Sequence, residues 1–142
     1  MSQKKLYSYL PDQVSVIVNG RALSGFAIGS FVTVARDEEN FKVTNGLNSV
    51  SRSRNENHMG KINVTLKQTA PDCAYLDELA RVDEVDASGV FSVLIRDASG
   101  LSKYDAAECW IEKYADADFS NEITNRVFTI IAADLNMLSG GN

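Results

Sequence analysis

The chain has 142 residues, 44% hydrophobic and 23% charged, a globular composition and about the length of one domain with a buried core. Its net charge of −5 and pI of about 4.8 argue against the basic footprint of a freestanding duplex-DNA-binding domain. No apolar run approaches the roughly 20 residues of a membrane helix, and no apolar stretch follows Lys4 and Lys5, so neither membrane insertion nor a secretory signal is expected.

Most of the chain reads as strands. Residues 14–18 are a β-branched run closed by Asn19-Gly20, a hairpin turn signal. Residues 22–28 are expected to return beside it, with Gly25 and Gly29 as bends. Residues 31–36 predict a third strand, 37–40 a polar turn, and Phe41-Lys42-Val43-Thr44 a fourth, half-buried strand. Residues 60–67 alternate cleanly, with Ile62, Val64 and Leu66 on one face and Lys61, Asn63, Thr65 and Lys67 on the other. One helix is expected at about residues 71–82. Thr69 is its candidate cap and Pro71 suits its first turn, with Tyr75, Leu76, Leu79, Ala80 and Val82 as its apolar stripe. Strand character resumes at 90–96 and again at 125–133. Residues 106–114 fit a helix or a strand, and the alternation of Ala107, Cys109 and Ile111 against Glu108, Trp110 and Glu112 favours the strand. Residues 139–142 read as a flexible tail. The expected fold is mainly β: a sandwich or barrel of about seven to eight strands with one flanking helix.

The stretch from 44 to 59 stands apart. It is mostly polar and far longer than the two to five residues of a usual hairpin connection. It reads either as a loose surface hairpin or as an arm that orders against another copy of the chain. The charge is also uneven. Residues 1–70 carry nine Lys/Arg and five Asp/Glu, a net of +4, and residues 71–142 carry five and fourteen, a net of −9. Either the two halves form opposed surfaces that attract each other between copies, or they interleave in space.

No residue set carries a reaction. His58 is the one histidine, so any Ser-His or Cys-His chemistry would rest on it, and it lies in the polar stretch without a rigid frame. Cys73 and Cys109 show no CxxC spacing and read as small buried hydrophobes of a reducing compartment. Asp77, Glu78, Asp83, Glu84 and Asp86 lack the ordered spacing of a calcium loop and read as a solvated face. Gly20, Gly25 and Gly29 match no nucleotide-binding pattern. Trp110 and Tyr114 read as core or interface anchors. No cofactor, metal or catalytic residue is expected.

The ordered set of segments is similar to the bacteriophage tail tube proteins of long contractile tails. Thr44-Asn45-Gly46 leads to Ser51-Arg52-Ser53-Arg54-Asn55 and closes in Gly60-Lys61-Ile62-Asn63-Val64-Thr65-Leu66. Pro71-Asp72-Cys73-Ala74-Tyr75-Leu76-Asp77-Glu78-Leu79 follows, then Val90-Phe91-Ser92-Val93-Leu94-Ile95-Arg96-Asp97 with Ser99-Gly100. Ala107-Glu108-Cys109-Trp110-Ile111 comes next, and Val127-Phe128-Thr129-Ile130 precedes Gly140-Gly141. The resemblance implies one tail-tube domain over residues 1–142, in rings of six copies whose sheets join around a channel. Rings stack into a tube inside a contractile sheath, meet the baseplate and a tail terminator at the ends, and pass double-stranded DNA in transit without binding it specifically. It also implies assembly in the bacterial host cytoplasm and residence in the virion. By position the arm at about 44–60 reaches the next ring, through Asn45, Ser49, Ser51, Arg52, Ser53, Arg54, Asn55, Glu56, Asn57 and His58. Shortening 49–57 is then expected to block polymerisation and leave the protomer folded. Related folds serve as the type VI secretion tube and as tail terminator rings, so those readings stay open. A monomeric small-ligand barrel is the remaining alternative.

Overall fold

The computed structural model describes residues 4–142. After a single 3-10 turn at Pro11–Gln13, strand β1 (Val14–Val18) turns at Asn19-Gly20 into a two-residue strand β2 (Arg21–Ala22). Both turn residues have positive φ, 53° and 79°, as the tight hairpin turn requires. The expected partner strand over 22–28 stops at Ala22. Gly25, at φ 78°, redirects the chain onto the end of a later strand, where Gly25 O accepts from Lys67 N and Thr65 O from Ala27 N. A side chain at Gly25 would meet Ala70 Cβ at 2.5 Å, so this close approach needs glycine.

Strands β3 (Val32–Arg36), β4 (Phe41–Asn45), β5 (Val50–Arg54) and β6 (Gly60–Lys67) follow, then helix α1 (Asp72–Asp86), strands β7 (Phe91–Asp97), β8 (Lys103–Ile111) and β9 (Asn125–Ala132), and a short β10 (Asn136–Leu138). Eight strands make one antiparallel sheet in the order β2-β1-β7-β8-β9-β6-β3, with β10 beside β8; among the described residues β4 and β5 pair only with each other. The sheet curls, because Val14 of β1 and Val32 and Val34 of β3, near opposite ends of that order, line one cavity. The fold is therefore mainly β with one helix, as expected.

The core follows the period-2 rule. β6 alternates with Ile62, Val64 and Leu66 fully buried, facing Phe128 and Ile130 of β9, Val16 and Val18 of β1, and Phe91, Val93 and Ile95 of β7. Helix α1 closes one side through Cys73, Leu76 and Ala80. The region 106–114 is a strand as far as Ile111, yet Ala106 and Cys109 both face inward and Ala107 is exposed. A bulge opposite Phe91 and Val93 shifts the register there, so the alternation changes phase within β8.

Three local expectations differ. The helix runs to Asp86 rather than 82: its acidic last turn stays helical and stops at Ala87, which is left-handed at φ 59°. Thr69 does not cap it. Pro71 occupies the cap position with no side-chain hydrogen bond, and the Asp72 carboxylate is drawn to Ser24 N at 2.7 Å and Arg21 Nη2 at 2.7 Å. The tail at 139–142 is tied down rather than loose. Asn142 Nδ2 donates to Ser8 O and Ser99 O, and Gly141 O accepts from Leu101 N.

Candidate assembly surface

Strands β4 and β5 form a hairpin in the register Phe41↔Arg54, Val43↔Arg52 and Asn45↔Val50, with Lys42↔Ser53 and Thr44↔Ser51 between. Gly46 N donates to Ser49 O at 2.7 Å and closes the turn. Apart from half-buried Phe41, every residue from 42 to 54 is exposed. The fourth strand was expected to be half-buried in the main sheet and is not. Its alternation is real, but periodicity reports two faces and not what covers them.

Cross-strand partners share a face. One face carries Phe41, Val43, Asn45, Val50, Arg52 and Arg54, and the other Lys42, Thr44, Ser51 and Ser53. The Arg52 guanidinium lies 4.0 Å above the Phe41 ring, a cation–π contact that stiffens the first face. At the tip Leu47 is 99% exposed, with Val43 and Val50 at 63% and 71%. The hairpin holds Lys42, Arg52 and Arg54 and no carboxylate. A two-stranded hairpin is marginal in water without a third surface, and among the described residues no third strand pairs with this one.

Its base is locked. Asn55 is 4% exposed; its backbone N donates to Asn40 O and its Nδ2 to Glu39 O, both at 2.8 Å, while its Oδ1 accepts from Asn57 N at 3.0 Å. Asn57 in turn bonds Glu38 and accepts from Met59 N. Arg36 Nε and Nη2 donate to Leu135 O at 2.9 and 2.7 Å, and Leu135 N donates to His58 O. His58 Nδ1 sits 3.4 Å from Asp134 Oδ1. At Gly60 a Cβ would strike Leu135 Cδ2 at 2.5 Å and Ala35 O at 2.6 Å, so only glycine lets the chain enter β6 there.

The ten residues singled out in the sequence thus fall into two groups. Asn45, Ser49, Ser51, Arg52, Ser53 and Arg54 are on the hairpin; Asn55, Asn57 and His58 hold its base, with exposed Glu56 between them. The hairpin's strands begin at Phe41 and end at Arg54. A cut across 49–57 would remove the buried Asn55 as well as the hairpin, so it would not leave the protomer untouched. Sequence reasoning missed Val43, Leu47 and Val50. The available signal was Leu47 and Val50 inside a stretch too polar to supply core, with Val43 just before it.

The opposite charge gathers on α1, which carries Asp72, Asp77, Glu78, Asp83, Glu84 and Asp86 against one cation, Arg81. Arg81 pairs with Glu78 and holds that carboxyl below its ordinary range. Tyr114, beyond β8, donates to Glu84 Oε2 at 2.7 Å, and that carboxylate raises the phenol's pKa. Among the described residues no group of three His, Cys, Asp or Glu side chains converges as a metal site.

The fold is that of contractile injection system components. The chain superposes on a chain of the anti-feeding prophage cap (AFP tube terminating cap) with a TM-score of 0.64 at 11% identity, covering 97% of this chain and 95% of that one. It matches a chain of an extracellular contractile injection system, the PVC sheath-tube complex in the extended state, at 0.63 and 12% identity, covering 93% and 92%. A chain of the PVC sheath/tube terminator gives 0.58 at 12%, covering 94% and 99%. No protein-family model matches the sequence. Structural protein ORF10 of Pseudomonas phage KPP10 is 31% identical over 144 residues, spanning 95% of this chain and 83% of that protein. The chain belongs to the family of that phage structural protein.

Proposed function

We propose that this protein is a non-enzymatic ring subunit at the end of the inner tube of a contractile phage tail, in the terminator or cap position. The observation that carries the reading is the end-to-end correspondence with the tube-terminating cap chain, with no large insertion on either side. The unpartnered hairpin supports it: a basic, apolar-tipped arm with no surface of its own suits a contact with a neighbouring copy. In this reading residues 4–142 act as one unit, copies close into a ring whose shared sheet covers open strand edges, and the ring meets tube and sheath. DNA passes through without specific binding, in keeping with the net charge of −5.

A second reading, the tube subunit itself, is favoured by the likeness to a sheath-tube chain and by the hairpin, which would join successive rings. Electron microscopy separates the two. Discrete rings from the purified protein, and antibody label confined to the tail's end, are expected for the terminal position. Open-ended stacks and label along the whole tail would transfer the assignment to the tube. A protomer that forms no ring and labels no tail would overturn both.

The arm has its own test. Replacing residues 42–53 by a two-residue turn spares Asn55 and Phe41. Because the removed residues are exposed, thermal unfolding is expected to change by no more than about 1 kcal/mol, while ring formation is lost. Rings of normal size from this variant would remove the hairpin from assembly.

A further inference from the structure

The hairpin and the segment between β8 and β9 leave the sheet at opposite ends. Strands β6 and β9 pair from Gly60↔Ala132 to Lys67↔Asn125. The hairpin precedes Gly60, and residues 112–124 precede Asn125. The ladder that separates them is about 24 Å long at roughly 3.4 Å per residue.

The segment 112–124 is acidic and partly apolar. It carries Glu112, Asp116, Asp118 and Glu122 against one cation, Lys113. Glu112 lies 3.5 Å from Lys61, and Lys113 lies 4.0 Å from Asp116, so among the described residues Asp118 and Glu122 have no ion pair. Phe119 and Ile123 are exposed in the segment, and Tyr114 and Val127 of β9 are half-exposed beside it. Its shape is held by its own contacts. Thr124 N donates to Gln68 Oε1 at 3.1 Å, Thr124 Oγ1 to Asp118 O at 2.8 Å, and Gln68 N to Thr124 O at 2.9 Å. A groove of about 270 Å³ runs between the segment and β9, lined by Tyr114, Asp116, Asp118, Val127 and Thr129, with Lys113 beside Asp116. It has room for a leucine side chain, since an apolar cavity of about 150 Å³ takes up benzene.

The hairpin complements this surface twice over. It exposes Val43, Leu47 and Val50 and carries Lys42, Arg52 and Arg54 without a carboxylate. Helix α1 is acidic too, but its one exposed large apolar side chain is Val85. We propose that the hairpin of one copy docks on the 112–124 groove of a second copy, with Leu47 in the groove against Val127 and the hairpin's cations facing Asp116, Asp118 and Glu122. This rests on the reading of the hairpin as a contact between copies and adds the surface that receives it. Donor and acceptor are different surfaces, so the contact is heterologous: it closes into a ring where the rotation between copies permits and otherwise extends as a stack. The opposed charges speed encounter and fix register.

The test is a disulfide trap between full-length chains, in which the native Cys73 and Cys109 are buried. A chain with Leu47→Cys is mixed under mild oxidation with a chain carrying Val127→Cys, and in parallel with one carrying Val85→Cys on α1; the products are told apart by mass. The heterodimer with Val127→Cys is expected in about tenfold higher yield than that with Val85→Cys. Adding Asp116→Lys and Asp118→Lys to the Val127→Cys chain should remove that advantage, and Arg52→Glu with Arg54→Glu in the Leu47→Cys chain should restore it. Should Val127→Cys fail to fold, Phe119→Cys takes its place. Equal yields, a preference for Val85→Cys, or a yield indifferent to the charge reversals overturns the proposal. Electron microscopy of the wild-type protein separates the two levels. Rings without the Leu47–Val127 trap would remove this acceptor and keep the ring reading; neither rings nor trap would remove both.

Discussion

At the scale of single residues, Asp72 joins two parts of the chain that the sheet ladder leaves separate. Its buried carboxylate holds Ser24 N and Arg21, and Arg21 also lies 4.5 Å above the Tyr75 ring. The segment after β2 is thereby fixed to the first turn of α1. Arg21 is half exposed, so its charge regains water when the partner goes, and the loss is smaller than for a fully buried pair. Asp72→Ala is expected to cost about 2–3 kcal/mol in urea unfolding. A cost within about 0.5 kcal/mol, the range of ordinary surface positions, would show that the contact is incidental. Cys109 gives a pH dependence. Burial pushes its thiol from 9.0 up to about 11, so above pH 9 the unfolded chain loses a proton that the folded chain keeps. Stability is then expected to fall by about 1.4 kcal/mol per pH unit between those values. Cys109→Ala should flatten that slope in guanidinium titrations at successive pH values.

At the scale of elements, the end of α1 is a site of stored strain. Ala87 adopts the left-handed cap at φ 59° and donates to Asp83 O at 2.9 Å, a geometry that favours glycine. Ala87→Gly is expected to stabilise by about 1 kcal/mol, read as a rise in Tm; a fall would mean that the backbone relaxes elsewhere. The elements that sequence periodicity located well are those whose pattern and covering agree, such as β6 and β9, where alternate apolar residues meet across a ladder from Gly60↔Ala132 to Lys67↔Asn125. Those it misjudged depend on distant partners. Thr69 reads locally as the cap of α1, but Pro71 holds that position, and Asp72 in the first turn is drawn to Ser24, 48 positions away. Residues 41–44 read as a sheet strand, but nothing local states that they pair with β5 outside the main sheet. The hairpin's place in the chain was visible in its polar length. Its apolar tip was not, because Val43, Leu47 and Val50 are too widely spaced to form a pattern, and their exposure emerges only when the sheet closes without them. The curl of the sheet was invisible for the same reason: Val14, Val32 and Val34 meet from strands far apart in sequence.

At the scale of the whole molecule, the folded chain retains part of the charge segregation seen along the sequence. The hairpin is purely basic and α1 strongly acidic, so a contact between copies through the hairpin has two components with opposite responses to salt. Attraction between Lys42, Arg52 and Arg54 and an acidic neighbour is screened, since the Debye length falls from about 10 Å at 0.1 M to about 3 Å at 1 M. Burial of Val43, Leu47 and Val50 is not screened, and sulfate strengthens it. The cations are long, exposed side chains whose single pairs are each worth little, but three of one sign on one short hairpin act together on encounter and register. Raising sodium chloride is therefore expected to move ring formation to higher protein concentration in sedimentation velocity, and replacing Arg52 and Arg54 by glutamine should remove most of that dependence. An assembly midpoint indifferent to sodium chloride but lowered by sulfate would place the contact on the apolar tip. Leu47→Ser would then be the variant that abolishes rings, and the basic side chains would serve only to keep the free hairpin soluble.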